Sequence, residues 1–210
     1  MRTHRRILTV SAMVVIVVTA MSTTRSLAET RLGVKGGATF ASYDVQGDFV
    51  DINNRNGFAV ALDFEYSLST AFRLSVEPTY VQKGGVVDFS GEFDFADNTQ
   101  KWDYVVVPVG IKALTQLGPV QPFARVGFGV GFLVNNETEM KNGTSAGPLD
   151  IKDYDFTVEM GAGVEIPANE RVAFTLEGRY APGIISISPA DASDTKTQTW
   201  LVLGGVSFRL

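Results

Sequence analysis

Eight segments of this chain alternate apolar and polar side chains with a period of two, and in each of them one of the two faces carries no charge. Successive side chains of an extended strand point to opposite faces, so the pattern predicts β-strands. The charge-free faces lie within residues 32–40, 58–66, 72–80, 105–113, 120–132, 156–166, 172–180 and 200–210. From Arg31 onward no helical period competes with them, and 210 residues suffice for one all-β domain.

Connection lengths add topology to this pattern. Short turns fall at 67–70, 115–118 and 167–170, and long polar stretches fall at 43–56, 84–101, 135–153 and 182–197. In an up-and-down barrel odd connections emerge at one mouth and even ones at the other, so the alternation predicts short turns at one end and long loops at the other. The expected fold is all-β: an eight-stranded antiparallel up-and-down transmembrane β-barrel.

Period two alone leaves open which face points inward, because a soluble lipocalin-like barrel would alternate in the same way. Size and charge favour lipid outside. The polar face mixes both signs of charge with small residues such as Gly37, Ala61, Gly127, Gly129 and Gly163, which suits a bore just wide enough for its own side chains. The apolar face places Tyr66, Phe72, Phe174 and Phe208 toward the short turns. Toward the long loops it places Phe40, Phe58, Tyr80, Phe132, Phe156, Tyr180 and Trp200, so that the two sets read as aromatic girdles. A charge facing lipid at mid-membrane costs about 2–4 kcal/mol, and this face carries none. The alternative is a soluble exported lipocalin-like barrel that binds a small apolar ligand.

Inward positions include Lys35, Asp63, Glu65, Lys112 and Glu165, together with Arg73, Glu77, Arg125, Glu159, Glu177 and Arg179. Buried charges persist only when paired and hydrogen-bonded. The last six are expected to form a structural network in which Glu77, Glu159 and Glu177 hold Arg73, Arg125 and Arg179.

The start of the chain is read separately. Arg2, Arg5 and Arg6 precede an apolar run over 7–20, and Ser26-Leu27-Ala28 follows. This layout predicts a secretory signal peptide over 1–28, cleaved after Ala28, since the run is shorter than the roughly 20 residues a spanning helix needs. Residues 29–210 then form the barrel domain. Removal takes away four arginines and no acid, so the net charge of −5 becomes −5 minus 4, or −9. Thirteen acids and five bases in the long stretches put −8 of it at one end.

Such a chain lacks the basic surplus that nucleic acid demands. Cysteine is absent and the single histidine, His4, lies in the leader, so thiolate and histidine-dependent chemistry has no residues to use. Glycines 127, 129 and 131 recur at period two without the lysine of a phosphate loop, as in a strand with a small inner face. Residues 88–94 are acidic but lack the spacing of a calcium loop, and are expected to be solvated surface. No catalytic residue, cofactor or metal is therefore expected, and no enzyme activity. The expected partners are outer-membrane lipid around the wall and an extracellular or secretion-machinery protein at the loops.

Several short motifs, in this order, resemble the PorT-type outer-membrane β-barrel family. They are Gly33-Val34-Lys35-Gly36-Gly37, Glu77-Pro78-Thr79-Tyr80-Val81-Gln82-Lys83-Gly84 and Val107-Pro108-Val109-Gly110-Ile111-Lys112. Gly178-Arg179-Tyr180 with Gly183, and the ending Val206-Ser207-Phe208-Arg209-Leu210, complete the set. The resemblance implies an eight-stranded barrel in the bacterial outer membrane and assigns no activity.

Overall fold

The computed structural model describes residues 29–45, 51–88, 98–140, 147, 151–187 and 195–210. The expected signal peptide and many of the loop acids, such as Asp48, Asp94, Asp150 and Asp191, lie outside the described residues. Among the described residues nine strands follow one another: β1 (Thr30–Val45), β2 (Asp51–Ser67), β3 (Phe72–Val76), β4 (Thr79–Asp88), β5 (Asn98–Leu114), β6 (Gln121–Met140), β7 (Tyr154–Pro167), β8 (Val172–Pro182) and β9 (Thr195–Arg209). All pairings are antiparallel, and β9 returns to pair with β1, so the sheet closes on itself.

β3 and β4 are one stave of the barrel, interrupted at Glu77 and Pro78. Both pair with β2 on one side and β5 on the other, and the register is the same above and below the break. Two prolines explain the interruption. Leu62 donates its N–H to the Pro78 carbonyl at 3.0 Å and Glu77 donates to the Pro108 carbonyl at 3.1 Å, but neither proline has an N–H to return. Thr79 compensates in part, its hydroxyl donating to the Glu77 carbonyl at 2.8 Å.

Counted as staves, the barrel has eight. A path across paired residues leaves β1 at Thr30, passes Tyr66, Leu74, Ile111, Val126, Met160, Tyr180 and Trp200, and re-enters β1 at Phe40. The stagger is thus 40 minus 30, or ten residues per circuit. With eight staves, that stagger tilts the strands by about 40° from the barrel axis.

Exposure fixes the orientation of the wall. Val34, Val60, Leu62, Val109, Val126 and Phe128 point outward, Phe128 with 66% of its surface exposed, whereas Lys35, Asp63, Arg73, Lys112 and Arg125 are buried in the bore. The soluble lipocalin-like alternative is disfavoured for this reason, since it would turn the apolar set inward. Tight turns close the short end. Ser69 Oγ accepts the N–H groups of Ala71 and Phe72 at 3.2 and 3.1 Å, and Asn169 Oδ1 accepts those of Arg171 and Val172 at 2.8 and 2.9 Å.

The other end departs from expectation. Much of what reads as loop in the sequence is strand: β1 and β9 stay paired as far as Val45 and Thr195, and β5 and β6 as far as Asn98 and Met140. Beyond the lipid a strand no longer needs an apolar face, so the backbone ladder carries these extensions without the alternation that reveals a strand. β6 alone has 20 residues, about twice the 9–11 a tilted spanning strand requires.

The outward face generates a depth-dependent prediction. Phe128→Arg, at mid-wall, should destabilise the barrel by about 2–4 kcal/mol in denaturant unfolding from lipid vesicles, and Leu68→Arg, in the β2–β3 turn, by about 0–1 kcal/mol. Equal costs would mean that lipid does not surround the mid-wall.

Candidate functional site: the filled lumen

From the short-turn end upward the bore is filled in layers. The lowest is a four-membered cluster in which Arg73 Nη1 lies 2.9 Å from Glu65 and 2.8 Å from Glu165, and Lys112 Nζ lies 2.7 Å from Glu65 and bonds Glu165 as well. Beside it the Phe123 ring lies across the bore, its centroid 4.0 Å from Lys112 Nζ in cation–π geometry. A Cβ at Gly163 would overlap the Leu176 carbonyl oxygen and meet Phe123 Cζ at 2.7 Å, so glycine permits both the close approach of β8 and the position of that ring.

The next layer holds seven ionisable groups in one network. Lys35 Nζ contacts Asp63 at 2.9 Å, Glu77 at 2.7 Å and Glu177 at 3.1 Å. Arg125 reaches Glu77 at 3.0 Å and Glu177 at 3.5 Å, and Arg179 reaches Glu77 at 2.7 Å, Glu177 at 2.8 Å and Glu159 at 3.1 Å. Glu77, fully buried, touches all three cations from the break in the third stave. Five of the six residues expected as a network therefore meet here. Arg73 does not join them: it belongs to the layer below, on Glu65 and Glu165, because it lies four residues nearer the short turn than Glu77 on the same stave. Lys35 occupies the central cationic position instead.

Above this network the filling changes character, with hydroxyls around one further ion pair. Thr39, Thr79, Thr157, Thr197 and Thr199 are buried, with Lys83 Nζ 2.9 Å from Asp155 and 5.2 Å from the Tyr104 ring centroid. Thr197 donates to the same Asp155 oxygen at 2.8 Å. An apolar cluster that includes Trp102, Tyr104, Val106, Leu133, Leu201 and Leu203 completes the bore, and Ile187, from the segment after β8, is fully buried within it. Lys152 pins that segment, donating its N–H to the Ile187 carbonyl at 2.8 Å and its Nζ to the Ser186 carbonyl at 2.7 Å.

Sequence reasoning missed this upper half. Its residues share the parity of the polar face, and the available signal was unbroken apolar runs such as Trp200-Leu201-Val202-Leu203 and Phe132-Leu133-Val134, which mark strands apolar on both faces. Chemically, the layers leave little room for a guest. A void bounded by Thr79, Val81, Lys83, Glu159, Arg179 and Thr199 measures about 10 Å³, the space of one water. Among the described residues no cluster of three or more His, Cys, Asp or Glu side chains could hold a metal ion.

Comparison with known proteins agrees with this architecture. A family model described as outer membrane protein beta-barrel domain matches residues 22–188. Among solved structures, OprG of Pseudomonas aeruginosa is similar at 15% identity over 86% of this chain and 95% of that one, with a TM-score of 0.50. Neisserial surface protein A has 13% identity over 85% and 97%, with a TM-score of 0.50. AlkL, solved in lipid bilayers, has 12% identity over 87% and 90%, with a TM-score of 0.53. At such identities the likeness concerns the fold. No curated protein matches the sequence significantly.

Two predictions follow from the layers. Arg125→Ala leaves Glu77 and Glu177 buried with one cation fewer and should cost about 3–5 kcal/mol in reversible unfolding. Combined with Arg179→Ala, which shares both carboxylates, the costs should not add; strict additivity would mean that the two arginines act independently. In this cysteine-free chain, Ile187→Cys should react with a maleimide far more slowly than Ile184→Cys, which is half exposed on the same segment. Equal rates would mean that Ile187 does not stay in the bore.

Proposed function

Because the chain belongs to the outer membrane protein beta-barrel domain family, and is thus an outer-membrane protein, we propose that it works as a closed wall-spanning scaffold of the PorT type. Its contacts with other molecules are then made at the long-loop end rather than through the bore. The observation that carries this reading is the filled lumen: ionic layers below, an apolar layer above, and a void of about 10 Å³ between them. Solutes and ions have no continuous aqueous path through such a stack.

In this reading residues 1–28 direct export and are removed after Ala28. The long loops face the outside of the cell, following the usual orientation of such barrels. Strand extensions on β1, β2, β4, β5, β6 and β9 carry those acidic loops away from the lipid, as suits a structural, adhesive or secretion-accessory contact with another protein.

The scaffold reading makes a paired prediction. The protein should stay with detergent-extractable outer membrane after a carbonate wash, and purified protein in planar bilayers should give no steady conductance. Release by carbonate, or reproducible single-channel steps, would reject it.

A further inference from the structure

β9 is the stave that closes the barrel, and it differs from the other seven. Each of those sends at least one ionised side chain into the bore, from Lys35 on β1 to Glu177 and Arg179 on β8. The inward residues of β9 are Thr197, Thr199, Leu201, Leu203, Gly205 and Ser207, none of which carries a charge. The closing strand therefore meets the buried charges through hydroxyls only, as where Thr197 donates to Asp155 at 2.8 Å.

Thr199 stands where a connection could be made. Its side chain is fully buried, and its hydroxyl has no hydrogen-bond partner within the protein. A buried hydroxyl without a partner is destabilising, and native interiors rarely keep one. Thr199 also borders the void of about 10 Å³, where Thr79, Lys83, Glu159 and Arg179 supply the other polar walls and Val81, Val106, Ala181 and Leu201 the apolar ones.

The geometry points to a structural water bound in this void, bridging Thr199 of β9 to the charged side chains of the neighbouring wall. The volume fits a single water, a water needs two to four polar partners, and five of the nine lining residues carry polar side chains. The surrounding charges argue against an ion. Lys83 and Arg179 repel a cation, while Glu159 repels an anion and both cations are already engaged, Lys83 by Asp155 and Arg179 by three carboxylates. A neutral dipole that both donates and accepts suits this mixed lining. Bound there, it adds a second polar tie between the closing strand and the rest of the lumen, beside the hydrogen bond that Thr197 donates to Asp155.

The test uses the full-length protein refolded in lipid and relies on the sign of one effect. Thr199→Val keeps the shape of the side chain and removes the hydroxyl. If the water is bound, the variant strips it of a partner and the melting temperature falls, while Thr199→Ser stays close to the parent. If the void is dry, the same replacement removes an unsatisfied hydroxyl and the melting temperature rises. Water-edited solid-state NMR in bilayers supplies the second readout: a long-lived water signal at Thr199, lost in Thr199→Val, is the expected result. A rise in melting temperature, or the absence of that signal in the parent protein, would overturn the proposal.

Discussion

Lipid offers no hydrogen bonds, so every backbone amide of a spanning strand must find its partner on a neighbouring strand. That constraint forces the sheet to close, and closure sets nearly everything else. Eight staves with a ten-residue stagger make a narrow cylinder whose bore is filled by whatever the inward positions carry. The chain departs from full pairing at Pro78 and Pro108, and there the Thr79 hydroxyl replaces a missing donor. The break includes Glu77, which contacts all three cations of the central layer.

Closure also determines the electrostatics. A narrow bore offers its charges little water, so each must be compensated by a neighbour reaching across from another stave. Sharing is the solution adopted: Glu77 and Glu177 each contact Lys35, Arg125 and Arg179, which come from β1, β6 and β8. Residues distant in sequence thereby brace opposite walls. The same crowding argues against a transport path and directs attention to the loop end for function.

The outer wall was the most legible part of this protein. Phe64, Val107 and Phe128 could be placed on a charge-free face because lipid penalises any charge there, and the penalty leaves a continuous mark on the sequence. The inward position of Glu77 and Arg125 followed from the same parity. Which charge meets which could not be read, since partners are set by the stagger: Arg73 and Glu77 lie on one stave yet serve different layers. The apolar upper lumen was hidden for a related reason. Leu201 and Leu203 sit among outward-facing Trp200 and Val202, and a run apolar on both faces shows no alternation to count.

By itself the sequence determined that the chain forms strands, how many staves they make, and which side of each faces lipid, because those properties depend on local periodicity and on a solvent that tolerates no outward charge. The tertiary structure decided the stagger, the partners of each buried ion, the strand extensions beyond the membrane and the inward turn of Ile187. These depend on how distant staves are offset when the cylinder closes, and no local pattern of residues encodes that offset.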